Sequence, residues 1–200
     1  MITGLGARAS NTCGGASRFV LMITIEVKFF EHVTFGINWS DVESDVLSTL
    51  SLRDFVPSDF PELISWFPDA PALSLFSGGT AQWPLTIEQL SARVDSGEAV
   101  SFTVILESET AVGHIEFVHE TAERVRLARL IIAPEFRGRG LTAYLLDRAS
   151  EYARASGYRW MTLLVVPDNL PAMRAYARAG FVDTGSSAVR PQYIRMLRKA

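Results

Sequence analysis

The chain has 200 residues, 48% of them hydrophobic and 20% charged, and a formal net charge of −3. That is enough for one domain with a sizeable core, and the charge balance gives no general affinity for nucleic acid or an anionic membrane surface. The single cysteine, Cys13, excludes an internal disulfide. No apolar run reaches the roughly 18 residues of a membrane span, so the expected location is the cytoplasm, with no membrane partner.

Residues 1 to about 16 are rich in Gly, Ser, Ala and Thr without periodicity, as in a loosely ordered leader. Phe19 to Phe30 is apolar and β-branched and suits a strand. It could pair with a sheet edge within the chain or in a homodimer. Residues 31 to 47 carry mixed signals and no readable function. The expected division is therefore an N-terminal extension over 1–47 and a domain over 48–200.

Leu50 to Phe55 reads as a strand. Asp59 and Glu62 have the spacing of a capping box, with Pro61 tolerated in the first turn. The helix they open ends at Pro68, and a loop with Ser77-Gly78-Gly79 follows. Thr86 and Gln89 form a second capping-box pair ahead of Ile87, Leu90 and Val94 at helical spacing, and Gly97 closes that helix. Ser101–Leu106, Ala111–Val118 and Val125–Ile132 read as three strands. The turns between them are too short for crossovers, so they form an antiparallel meander.

A helix from about Gly138 to Ala155 follows, then a strand from Trp160 to Val166. A strand reached across a helix is expected to run parallel to its predecessor. Asn169 caps the next helix, with Pro171 in its first turn and Gly180 at its end. Phe181–Thr184 and Tyr193–Leu197 suggest a closing hairpin. The fold class is α+β with a mixed sheet.

Leu130-Ile131-Ile132 is the end of a buried strand, Pro134 breaks it, and Arg137-Gly138-Arg139-Gly140 leads into Leu141 and Thr142 at a helix start. A helix begins with about four backbone N–H groups that lack internal partners, and carries partial positive charge there. With glycines to admit a ligand and arginines to add charge, this is an anion site suited to phosphates. The same residues could equally form a solvated loop.

The segment Ile132-Ala133-Pro134-Glu135-Phe136-Arg137-Gly138-Arg139-Gly140 resembles the V-x-P-x-x-R-G-x-G-x-G/A motif of the GNAT N-acetyltransferase superfamily. Asn169, Ala172, Tyr176, Gly180 and Phe181 match its N-x-x-A-x-x-x-Y-x-x-x-G-F motif. Trp83-Pro84-Leu85-Thr86 is similar, less specifically, to acetyltransferases of the ribosomal-protein-modifying type. Thr142 departs from the pattern, standing where the family has Gly or Ala.

The resemblance implies the acyl-CoA N-acyltransferase fold: a mostly antiparallel sheet of six to seven strands, splayed at its centre and flanked by about four helices. It implies acetyl-CoA as acyl donor and an amine as acceptor, a small molecule or a protein amino group, with direct attack in a ternary complex. Arg137, Gly138, Arg139, Gly140, Leu141 and Thr142 would then hold the pyrophosphate, with Asn169 contacting the cofactor or ordering its loop. Leu130, Ile131 and Ile132 would run beside the pantetheine arm, and the backbone near Leu130 or Ile131 would face the oxyanion.

Tyr176 matches the family's tyrosine and is the candidate general acid, since its phenol can donate to the leaving sulfur; the alternative is a core or positioning aromatic. Glu116 is the best-placed candidate general base, but as a residue type it reads first as an exposed strand carboxylate. Arg129 interrupts an apolar strand; it would face the cleft or pair across the sheet. His32, His114 and His119 lack metal-ligand spacing, so no metal site is expected. A non-catalytic acyl-CoA sensor is the competing function.

Overall fold

The computed structural model describes residues 50–200. The expected leader, the Phe19–Phe30 strand and its pairing, and Cys13 lie outside the described residues. Seven strands form one sheet: β1 (Ser51–Asp54), β2 (Val100–Ile105), β3 (Ala111–Thr121), β4 (Arg124–Ile132), β5 (Trp160–Val165), β6 (Val182–Ser186) and β7 (Ile194–Lys199). Their order across the sheet is β1-β2-β3-β4-β5-β7-β6. All neighbours run antiparallel except β4 and β5, which are parallel and joined across a helix.

Five helices flank the sheet: α1 (Phe60–Ser65), α2 (Ala70–Ser77), α3 (Ile87–Asp95), α4 (Leu141–Ala155) and α5 (Leu170–Arg178). In α4, Leu141, Leu145, Ala149 and Ala153 recur every fourth residue and are buried. They pack on Ile115, Phe117, Val125, Leu127, Met161 and Leu163 from one face of the sheet. A second core joins α1, α2 and α3 through Phe60, Leu63, Trp66, Phe67, Leu73 and Leu90, with Ala111 and Ala133.

Helix α2 replaces the loop expected after Pro68. Asp69 caps it, its side chain accepting from the Ala72 N–H at 2.8 Å, Pro71 fits the first turn, and Gly78 ends it at φ 63°. The Asp59 side chain makes no cap for α1. It accepts from the Val56 N–H at 3.0 Å, from Arg53 and from the Thr103 hydroxyl at 2.7 Å, tying β1 and β2 to the turn before α1. Thr86 caps α3 as expected, but the Gln89 side chain donates to the Gln82 and Pro84 carbonyls instead of closing the box. Of the apolar residues spaced along α3, only Leu90 is buried; Ile87 and Val94 are exposed.

Two irregularities in β4 set up the site. Its parallel pairing with β5 runs from Arg124–Trp160 to Leu127–Leu163 and stops there. Beyond that point β4 continues to Ile132 and β5 to Val165, so the sheet opens at its centre. On the other side, Glu116 faces Ala128 and His114 faces Ile131, leaving Arg129 and Leu130 opposite Ile115 alone. This is a β-bulge, and Arg129 takes φ 45° within it. Left-handed backbone costs a non-glycine residue on the order of 1 kcal/mol, so the surroundings must hold it.

Candidate active site

The opening between β4 and β5 is the mouth of a cleft of about 470 Å³. One wall is β4 from Leu127 to Ile132, the other is β5 from Leu163 to Val165 with Val166 just after it, and α5 contributes Ala172, Ala175 and Tyr176. Arg137, Thr142 and Asn169 lie at its edge. The structure thus brings Ile132, Arg137, Thr142, Asn169, Ala172 and Tyr176 around one space, while Gly138, Arg139 and Gly140 are not on its lining and Leu141 is buried in the core.

The phosphate-loop candidates sit where β4 gives way to α4. Pro134–Phe136 forms one turn of 3-10 helix, and Gly138 and Gly140 take φ 76° and 75°. These are conformations that favour glycine. Gly140 is the N-cap of α4 and offers no side chain; the Ala143 N–H donates to its carbonyl at 3.0 Å, and the Leu141 and Thr142 amides are left for a ligand. Arg137 turns back, its Nε donating to the Ile132 carbonyl at 2.9 Å. Arg139 lies over the Phe136 ring. Thr142 is half-buried on the cleft wall.

Asn169 does cap α5, accepting from the Ala172 N–H at 3.3 Å. Tyr176 is half-buried, with its ring at 6.1 Å from that of Phe181. Burial pushes its phenol up to about 12, so it keeps its proton throughout the physiological range.

Glu116 is buried, not exposed. Its carboxylate accepts from Arg93 at 2.9 Å and from Arg129 at 3.2 Å. Burial alone would raise its pKa. His114, Arg93 and Arg129 outweigh burial and hold it down at about 2. Arg129 therefore pairs across the sheet, and it also donates to the Thr80 hydroxyl at 3.0 Å. His114 is fully buried, with the rings of Phe55 and Phe76 at 4.5 and 6.0 Å. Burial depresses its pKa, which favours the neutral imidazole.

Other residues at the site carried no sequence signal. Gly113 lets β3 approach β4: a Cβ there would stand 2.7 Å from the Ile131 carbonyl oxygen. Arg93 looks like an ordinary helix-surface arginine in sequence, yet it anchors Glu116. Past the opening, a second space of about 240 Å³ shares Leu127, Ala128, Arg129, Leu164 and Tyr193 with the first. Among the described residues there is no group of three or more His, Cys, Asp or Glu placed to hold a metal. No described helix is long and apolar enough to cross a membrane.

The model of the acetyltransferase (GNAT) family matches residues 60–181, and the chain belongs to that family. The match is to the family as a whole, not to its ribosomal-protein-modifying branch. An uncharacterized N-acetyltransferase of Methanocaldococcus jannaschii is 32% identical over 80 residues, 40% of this chain and 34% of that protein. Streptothricin acetyltransferase of Streptomyces lavendulae is 35% identical over 63 residues, 32% of this chain and 33% of that one. The matched stretches thus span about a third of each relative's length.

Among solved structures, spermidine N-acetyltransferase of Vibrio cholerae, in complex with CoA and spermine, superposes with a TM-score of 0.63 at 22% identity. That alignment covers 76% of this chain and 96% of the other. A domain from Methanocaldococcus jannaschii gives 0.63 at 15% identity, covering 76% and 98%. Both show the same fold.

Proposed function

We propose that this chain is an N-acetyltransferase that moves an acetyl group from acetyl-CoA to an amine by direct attack in a ternary complex. The observation that carries the reading is the opened β4–β5 pair, with a glycine-bearing helix start at one end and a protonated tyrosine on its wall. The GNAT membership of the chain supports it.

In this reading the loop from Arg137 to Gly140 and the Leu141 and Thr142 amides hold the pyrophosphate at the start of α4. Leu130, Ile131 and Ile132, which have no β5 partner, run beside the pantetheine arm. A backbone N–H of the same stretch faces the oxyanion of the tetrahedral intermediate. The acceptor nitrogen attacks the thioester carbonyl, the C–S bond breaks, and Tyr176 gives its proton to the departing sulfur and regains one from solvent. Asn169 fixes the start of α5 and with it the position of Tyr176.

The amine must shed a proton, and Glu116 is poorly suited to take it directly. A carboxylate held at about 2 between two guanidiniums has little proton affinity near neutrality. We assign Glu116 a positioning role under the bulge and route the proton to solvent.

The test is release of CoA thiol from acetyl-CoA with a panel of primary amines, read alongside calorimetric binding of acetyl-CoA. Amine-dependent thiol release is expected. Tight binding without release on any amine would make the chain an acyl-CoA sensor.

A further inference from the structure

The space beyond the β4–β5 opening is lined by four arginines, Arg93, Arg126, Arg129 and Arg190, against two carboxylates, Glu98 and Glu116. Glu116 is already matched by Arg93 and Arg129, and Glu98 also contacts Arg93. Arg126 reaches Glu120 at 3.4 Å, but Glu120 is shared with Arg195 at 3.0 Å. Arg190 donates to the Gly78 carbonyl at 3.2 Å and lies over the Tyr193 ring; among the described residues it forms no ion pair. Positive charge is in excess here, and guanidiniums do not deprotonate to relieve it. Burial weakens the hold of Arg126 on its proton, Glu120 opposes that, and Arg190, Arg93 and Arg195 add to it. An anion between Arg126 and Arg190 would relieve that repulsion.

This charge does not belong to the phosphate end of the cleft. Arg126 precedes Ile132 by six residues of strand, roughly 20 Å at about 3.3 Å per residue. The glycine loop lies further on still, past Ile132. The arginines therefore sit at the acceptor's end of the opening.

We propose that the acceptor is a small amine that also carries a carboxylate, bound with that carboxylate against Arg126 and Arg190. The proposal rests on the acetyl-transfer reading above. The free amine attacks the thioester carbonyl, its proton passes to solvent, and the products are an N-acetylamino acid and CoA thiol. A polyamine would instead bring further positive charge among the arginines, at an electrostatic cost. Carboxylate recognition by arginine is bidentate where geometry allows, which also fixes orientation.

The experiment compares matched acceptors with and without the carboxylate: leucine against isoamylamine, phenylalanine against phenethylamine, and ornithine against putrescine, with spermidine alongside. In at least one pair, kcat/KM for the carboxylated member should exceed that of its partner roughly tenfold or more. Arg190→Gln and Arg126→Gln should each collapse that ratio toward one, chiefly through KM, and Arg190→Lys should restore part of it. Equal or faster turnover of the decarboxylated amines, or of spermidine, overturns the proposal while leaving acetyl transfer standing. No thiol release with any amine, by protein that still binds acetyl-CoA calorimetrically, overturns the acetyl-transfer reading and this proposal with it.

Discussion

Glu116 on β3 and Arg129 on β4 meet at 3.2 Å across a bulge in which Arg129 holds φ 45°. The ion pair fixes the side chain of the residue whose backbone is strained. Arg93 closes on the same carboxylate from α3, and Thr80 takes the other end of the Arg129 guanidinium. The kinked part of β4 is thus tied to β3, to α3 and to the segment between α2 and α3.

Glu116→Gln leaves Arg93 and Arg129 without their shared charge in a largely buried place. Removing one partner of a buried pair typically costs about 3 kcal/mol. A urea titration should show that loss, and a change under about 0.5 kcal/mol would mean the bulge is held by other contacts. The acid behaviour follows from the same pair. The folded-state pKa is depressed from 4.5 to about 2, so the stabilisation is present above 4.5 and drains as pH falls toward 2. The Gln variant should lose less stability than the wild type over that interval.

Tyr176→Phe removes the proposed acid and keeps the ring against Phe181. Turnover should drop roughly 100-fold, the usual range for general acid catalysis. Acetyl-CoA affinity, measured by calorimetry, should change little. Because burial holds the phenol at about 12, no limb of the wild-type pH–rate profile below about pH 10 should belong to it. Wild-type turnover in the Phe variant would return Tyr176 to a packing role.

What was legible in the sequence was what is local. Asn169, Pro171 and Gly180 bound a helix by short-range chemistry, and Gly138 and Gly140 mark a loop that admits a ligand to the helix start. The parallel β4–β5 pair followed from the helix between them. What was not legible depends on partners far along the chain. Glu116 read as an exposed strand carboxylate because its neutralising Arg93 is 23 residues away, on another element. The bulge at Arg129 needs the register against β3, which no stretch of β4 encodes alone. Helix α2 stands where the sequence suggests a loop: Pro68 ends the preceding helix, and the Asp69-Ala70-Pro71 start signal follows it at once.

Gly140→Ala tests the phosphate loop without a clash, since nothing lies within 4 Å of an added Cβ. The penalty is purely conformational, at φ 75°, and should be about 1 kcal/mol. A loop that relaxes away from this conformation re-aims the amides at the start of α4, so CoA affinity should fall roughly fivefold to tenfold. Gly140→Asn should fall less, because asparagine tolerates left-handed backbone, and Gly140→Val should fall more. Equal CoA affinities for all three in calorimetry would separate this loop from cofactor binding.

Gly113→Ala probes the other side of β4. Its Cβ would sit 2.7 Å from the Ile131 carbonyl oxygen, a backbone atom that cannot swing aside as a side chain would. The two strands must part there, next to the bulge and on the cleft wall. Overpacking of this kind costs about 1–3 kcal/mol, which thermal denaturation should reveal. Since Ile131 and Ile132 form the stretch proposed to meet the pantetheine arm, acetyl-CoA affinity should fall with stability. Adenosine 3′,5′-bisphosphate, which lacks that arm, should bind as in the wild type. A variant that weakened both ligands equally would place the damage in the fold at large and detach Ile131 from the pantetheine path.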